Sequence, residues 1–172
     1  MKLIVSLLIP FSILPERSLA IPQSVGIGFV NAVGMRFEQF AAARETWLPG
    51  AELKGRWIVR GKKPGAADGA ETLDLAMDAE VFGILASQVS AERIGGTVRR
   101  FVVRYDESKI KTAGKARGGD LFARVTTNLQ AAVGEPQAKS PGAGMTFRPE
   151  ASVIVARRAG PREVLIEFTP VR

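Results

Sequence analysis

Between Thr97 and Asp106 the chain alternates with a period of two: Phe101, Val103 and Tyr105 fall on one side, Arg100 and Arg104 on the other, with Val102 between them. That pattern describes a half-buried antiparallel strand, with one face against a core and one in water. The same period recurs in Thr72–Asp78, with Leu73, Leu75 and Met77 inward and Asp74 and Asp78 outward. It recurs in Glu52–Arg60, where Trp57 and Val59 oppose Lys54, Arg56 and Arg60, and in Arg162–Thr169, where Val164, Ile166 and Phe168 oppose Glu163 and Glu167. Ala151–Arg157 reads as a further strand. Val81–Ala86 is a mostly apolar run, read as a strand with a bulge at Gly83; a helix over Ala79–Ser90 competes with it.

Two stretches carry the helical period instead. In Gly34–Leu48, Phe37, Phe40, Ala41 and Trp47 recur at steps that share one helix face, and Pro49-Gly50 ends the run. In Leu121–Val133 the inward set is Leu121, Phe122, Val125, Leu129 and Val133; Asp120 stands at the N-cap, and Gly134 and Pro136 stop the helix. Residues 61–70, 91–96, 107–119 and 137–144 read as loops or turns by composition. Ile21–Val33 is Gly-interrupted and apolar, a leading strand or an extended lead-in. The order predicts an α+β fold: two amphipathic helices packed on a mostly antiparallel sheet. It also admits two similar αβ halves, 34–106 and 118–172, in which Thr97–Asp106 closes the first meander and leads into the second half.

The N-terminus changes the picture. Lys2 precedes the apolar run Leu3–Leu14, and PERSLA follows, ending in Ser18-Leu19-Ala20 with small residues where a signal peptidase reads. The run is shorter than the about 20 apolar residues a membrane span needs, and Pro10 would break a spanning helix. Residues 1–20 are therefore read as a secretory signal peptide and 21–172 as a single small domain, exported to the periplasm or the medium. A second small-residue triplet, Val30-Asn31-Ala32, is the competing cut site, and a buried N-terminal strand is the competing structure.

Composition removes chemistries. The 172 residues include no Cys and no His. That excludes disulfides, thiolate metal sites, a cysteine nucleophile, and the commonest general base and metal ligand near neutral pH. The net charge is +7, from 24 basic and 17 acidic side chains. Arginines outnumber lysines, which suits bidentate anion recognition, but they are spread along the chain.

No motif supplies an activity. The Gly-Lys pairs lack the spacing of a phosphate loop: Gly114-Lys115 is followed by Ala116, and Lys109 stands where the first Gly belongs. Gly26-Ile27-Gly28 has Asn31 in place of the third Gly of a dinucleotide fingerprint. Ser108–Lys111 has the SxxK spacing of an acyl enzyme but lacks the companion SDN and KTG triplets. The acidic group Asp68, Glu71, Asp74, Asp78 and Glu80 matches no calcium loop; two of its members would have to line one pocket to act as a carboxylate hydrolase. Arg56, Arg60, Arg100 and Arg104 form the candidate anion- or partner-binding face, with Asp74 and Asp78 expected as cross-strand partners of Arg100 and Arg104. No catalytic, cofactor or metal site is assigned. The reading is an exported, non-catalytic domain of the bacterial envelope type that binds a protein or an envelope component. A polyanion-binding module on the Arg face and a carboxylate hydrolase are the alternatives, and nucleic acid is not an expected partner.

Overall fold

A computed structural model of the chain describes residues 25–42, 57–62, 69–75, 79–109, 120–140 and 144–171. The fold is α+β and mostly antiparallel sheet. Among the described residues there are three helices: α1 (Val25–Ala32), α2 (Phe37–Ala42) and α3 (Leu121–Val133). Eight described strands build one sheet: β1 (Trp57–Lys62), β2 (Ala70–Leu75), β5 (Gln88–Ile94), β6 (Thr97–Asp106), β7 (Ala138–Ser140), β8 (Gly144–Phe147), β9 (Ser152–Gly160) and β10 (Glu163–Pro170). A separate hairpin consists of β3 (Ala79–Val81) and β4 (Ile84–Ala86). The large sheet runs β1-β2-β5-β6-β10-β9-β8-β7, every neighbouring pair antiparallel. Thus β6 and β10 meet at its centre, Phe101 opposite Phe168 and Tyr105 opposite Val164.

The alternation of β6 separates the two faces of the sheet. On the apolar face Phe101, Val103 and Tyr105 are fully buried, together with Ile166 and Phe168 of β10 and Ile154 and Ala156 of β9. Phe29 of α1 approaches Phe101 at 4.7 Å between ring centroids, and Phe40 of α2 at 5.1 Å. Leu121, Val125 and Leu129 of α3 join the same buried cluster. Asp120 caps α3 by accepting from the Phe122 N–H at 3.2 Å, and Gly134, with positive φ, ends it. The Asp120 carboxylate also receives both Nη groups of Arg158, whose guanidinium lies 4.8 Å from the Phe122 ring, so the cap ties α3 to β9.

The Arg158 hydrogen bonds, more than the Phe122 N–H, hold the Asp120 carboxyl below its ordinary value of 3.8. A depressed carboxyl adds stability that is present above the unfolded value and lost as pH falls through the folded one. Urea midpoints measured across the acid range should therefore fall less steeply below pH about 4 for Asp120→Asn than for the parent chain. Asparagine still caps a helix, so only the charge is removed; parallel acid limbs would refute the assignment.

The β3–β4 hairpin also lies on the apolar face. Its turn is Phe82-Gly83, both with positive φ (51° and 69°), the conformation of a tight two-residue hairpin. Phe82 is buried, stacked 6.2 Å from Phe168, and its carbonyl accepts from Asn128 Nδ2 of α3 at 2.8 Å. Tyr105, the chain's one tyrosine, donates its hydroxyl to the Val81 carbonyl at 2.9 Å. Burial pushes its pKa up, so it stays a neutral donor.

Several expectations are corrected. Residues 25–32 are helix, not strand or lead-in: α1 tolerates its glycines because Phe82 packs where a Cβ of Gly26 would stand. The second helix begins at Phe37 rather than Gly34, because Arg36 bridges Thr97 and the Gly34 and Phe37 N–H groups bond to Val98 and Gly96 carbonyls. The run 81–86 is two strands around a turn rather than one bulged strand or a helix. Residues 91–94 are the end of β5, with Ala91 fully buried, and only Gly95-Gly96 turn. Residues 138–140 and 144 belong to β7 and β8 rather than to a loop, and β1 runs on through Gly61 and Lys62 after a bulge. Val59 is 51% exposed instead of inward, because β1 is the last described strand at its edge of the sheet. The expected helical residues 43–48, the expected strand residues 52–56 and 76–78, and most of the 107–119 connection lie outside the described residues.

Candidate functional site

The second face of the sheet is charged. Register places Thr72 and Asp74 of β2, Gln88, Ser90 and Glu92 of β5, Arg100, Val102 and Arg104 of β6, and Glu163, Leu165 and Glu167 of β10 on it, each between inward-pointing residues of its own strand. Three of the four arginines read from the sequence, Arg60, Arg100 and Arg104, are brought to this face; Arg56 lies outside the described residues.

Their partners differ from those expected. Arg100 pairs with Glu92 at 3.1 Å and Glu167 at 3.8 Å, and Arg104 pairs with Glu163. Asp74 pairs with Arg60 instead, and Asp78 lies outside the described residues. The reason is strand order: β6 lies between β5 and β10, so β2 is one strand too far away. Asp74 is also not in water, as its outward position suggested, but 7% exposed. Ser90 Oγ donates to it at 2.7 Å and Gln88 Nε2 at 3.1 Å, which supplies the hydrogen bonds a buried carboxylate requires.

The heads of four residues form one continuous row across four strands. Glu92 on β5 meets Arg100 on β6 at 3.1 Å, Arg100 meets Glu167 on β10 at 3.8 Å, and Glu167 meets Arg157 on β9 at 2.9 Å. Leu165 stands opposite Arg104 on one side and Arg157 on the other, and is only 6% exposed. Arginine stems cover apolar surface while their heads stay in water, which accounts for a buried leucine on a charged face. Between β2, β5 and β6 the face holds a groove of about 240 Å³, lined among others by Thr72, Gln88, Ser90, Glu92, Arg100 and Arg104.

The face therefore carries Arg60, Arg100, Arg104 and Arg157 against Asp74, Glu92, Glu163 and Glu167, each cation beside a carboxylate. Sequence reasoning placed Glu163 and Glu167 outward on their strand but gave them no partner, and did not single out Glu92 or Arg157. Only strand adjacency does so: β5 beside β6 brings in Glu92, β10 beside β6 brings in Glu163 and Glu167, and β9 beside β10 brings in Arg157.

The described members of the acidic group, Glu71, Asp74 and Glu80, do not assemble. Glu71 pairs with Arg93 at 2.7 Å, and the Arg93 guanidinium lies 5.0 Å from the Phe37 ring, on the opposite face from Asp74. Glu80 is exposed on the β3–β4 hairpin, and Asp68 and Asp78 lie outside the described residues. Ser108 sits in the turn after β6 and donates its hydroxyl to Asp106 at 2.6 Å; Lys111 lies outside the described residues. Among the described residues, no group of three or more His, Cys, Asp or Glu side chains could hold a metal, and no helix is long and apolar enough to cross a membrane. No protein-family model, curated protein or solved structure matches this chain.

Proposed function

We propose that this chain is an exported, non-catalytic α+β domain of the bacterial envelope type, which acts by contact with a protein or envelope component through the charged face of its sheet. The observation that carries this reading is the internal neutrality of the face. A polyanion site needs cations free to neutralise phosphates or sulfates; here each arginine already faces a carboxylate. A face rich in arginine, with Val102 and Leu165 between the charges, suits a protein contact, where arginine is enriched relative to the rest of the surface. A carboxylate hydrolase loses support because Glu71 and Asp74, the two members of the acidic group in β2, occupy opposite faces of the sheet.

Export rests on the signal-like N-terminus. Cleavage after Ala20 leaves α1 whole, whereas cleavage after Ala32 would remove Phe29 and Val30, which are 3% and 5% exposed in the core. The reading of two similar αβ halves is supported by strand order: β1-β2-β5-β6 and β7-β8-β9-β10 each run from an edge of the sheet to its centre, and a helix precedes each.

A photo-crosslinking side chain at Val102, in the middle of the face, tests the contact. In an envelope preparation it is expected to give discrete protein adducts, while the same group at Ala131, exposed on α3, gives none. No adduct from Val102 would end the reading. Retention on heparin that Arg100→Ala and Arg104→Ala abolish would replace it with the polyanion alternative.

A further inference from the structure

We propose that the groove between β2, β5 and β6 is a binding site for a neutral saccharide unit that carries an N-acetyl group. The site goes beyond the contact reading above, because it depends on the groove's own geometry and not on the face as a whole.

Strand register makes the groove. Three rows of outward side chains cross the strands here: Thr72, Glu92 and Arg100; then Asp74, Ser90 and Val102; then Gln88 beside Arg104. Ser90 and Val102 are short, so the long side chains of the outer rows stand as walls on either side of a floor made by those two. Along β6 the two arginines that end the walls are about 13 Å apart at Cα. The groove's volume, about 240 Å³, lies below the about 300–1,000 Å³ of pockets that take drug-sized ligands, and suits a single sugar ring.

Buried Asp74 sets the polarity of the groove. It accepts the only hydroxyl hydrogen of Ser90 at 2.7 Å and an Nε2 hydrogen of Gln88 at 3.1 Å. Ser90 Oγ can then only accept from a ligand, and the Gln88 amide keeps Oε1 as an acceptor. The arginines present donors only. Each wall therefore sets a donor beside an acceptor, Arg100 with Glu92 and Arg104 with Gln88. Arg100 Nε is shielded from water and makes no hydrogen bond among the described residues, although Glu92 lies 3.1 Å away. A hydroxyl both donates and accepts, so it can meet either kind of group. A ligand with net charge gains less, because Arg100 and Arg104 already face carboxylates.

The N-acetyl group follows from the floor. Ser90 and Val102 are directly opposed in register, so an acceptor oxygen and an apolar side chain stand side by side, with Cβ atoms about 5 Å apart. An acetamido group carries an N–H for the oxygen, a methyl for the valine and a carbonyl for an arginine.

The test is isothermal titration of the full chain with the tetramer of N-acetylglucosamine, beside the glucose tetramer, which has hydroxyls in place of the acetamido groups. The first is expected to bind, and the second about tenfold more weakly for want of the amide hydrogen bond and the methyl contact. Because the ligand is neutral, its affinity should change by less than about twofold between low and high salt, whereas a polyanion releases counterions and loses affinity steeply. Val102→Phe should weaken binding by at least about tenfold by filling the floor. Val155→Phe, on the same face but two strands away on β9, should leave it unchanged. Ser90→Ala should cost about fivefold. Urea midpoints check folding; if Ser90→Ala unfolds the chain by stripping Asp74 of a partner, Val102→Phe decides alone. No binding of the N-acetylglucosamine tetramer at millimolar concentration overturns the inference. So does equal affinity for the glucose tetramer or for an acetylated peptide amide, binding that high salt abolishes, or binding indifferent to both groove changes. Protein adducts from Val102 with no saccharide bound leave the contact reading without this site, whereas saccharide bound with no adducts leaves this site without the contact reading.

Discussion

Phe101→Ala is expected to cost about 3–5 kcal/mol of folding stability, the range for emptying a buried aromatic site. Phe101 is fully buried, and the rings of Phe29, Phe40 and Trp57 surround it at 4.7, 5.1 and 6.4 Å. Those rings come from α1, α2 and β1, so one side chain links the first two helices to the sheet. Collapse around the gap is opposed because β6 is held by backbone pairing on both sides, to β5 and to β10. The ring contacts add about 0.5–1.5 kcal/mol per pair beyond the buried area, so Phe101→Leu should also lose stability, though less. Urea unfolding measures both. A loss below about 1.5 kcal/mol for the alanine variant, the range of a volume-conserving swap, would show that the cluster repacks.

Gly26→Ala decides between two opposed effects. Alanine in a helix interior is favoured over glycine by about 1 kcal/mol, so propensity alone predicts a more stable chain. Packing predicts the reverse. A Cβ on Gly26 would stand against Cζ and Cε1 of the Phe82 ring, well inside van der Waals contact. The ring cannot swing clear cheaply, since Phe82 is 3% exposed, stacked on Phe168 and anchored through its carbonyl by Asn128. Overpacking of this kind costs about 1–3 kcal/mol, so a net destabilisation is expected. Phe82→Leu in the same chain should recover part of it by withdrawing the ring. A Gly26→Ala variant more stable than the parent would show that the hairpin tip is loosely seated on α1.

The Phe82–Gly26 contact also marks where sequence reasoning stops. Phe82 and Gly83 were placed within one bulged strand, and Gly26 within an extended segment, because neither local period reveals that the two meet. Two glycines argue against a helix on propensity, yet α1 forms, because the helix places Phe29, Val30 and Ala32 in the core. Residues 91–94 of β5 read as a turn for a related reason: Ala91 is too small to signal an apolar face, although it is fully buried between Leu73 and Phe101 of the neighbouring strands. β7 has three residues, too few to show a period.

Local chemistry did determine the strand Thr97–Asp106, the inward set of β10, and α3 with its Asp120 cap, because period and capping act over a few residues. The lack of Cys and His likewise bounded the available chemistry before any fold was known. The partners of Arg100 and Arg104 were beyond its reach. Arg104 and Glu163 are 59 positions apart and become neighbours only because β10 pairs with β6. Alternation says which face a side chain takes, but not which strand lies beside it. That choice belongs to long-range pairing, and here it gave Arg100 and Arg104 the carboxylates of Glu92, Glu167 and Glu163 in place of the expected Asp74 and Asp78.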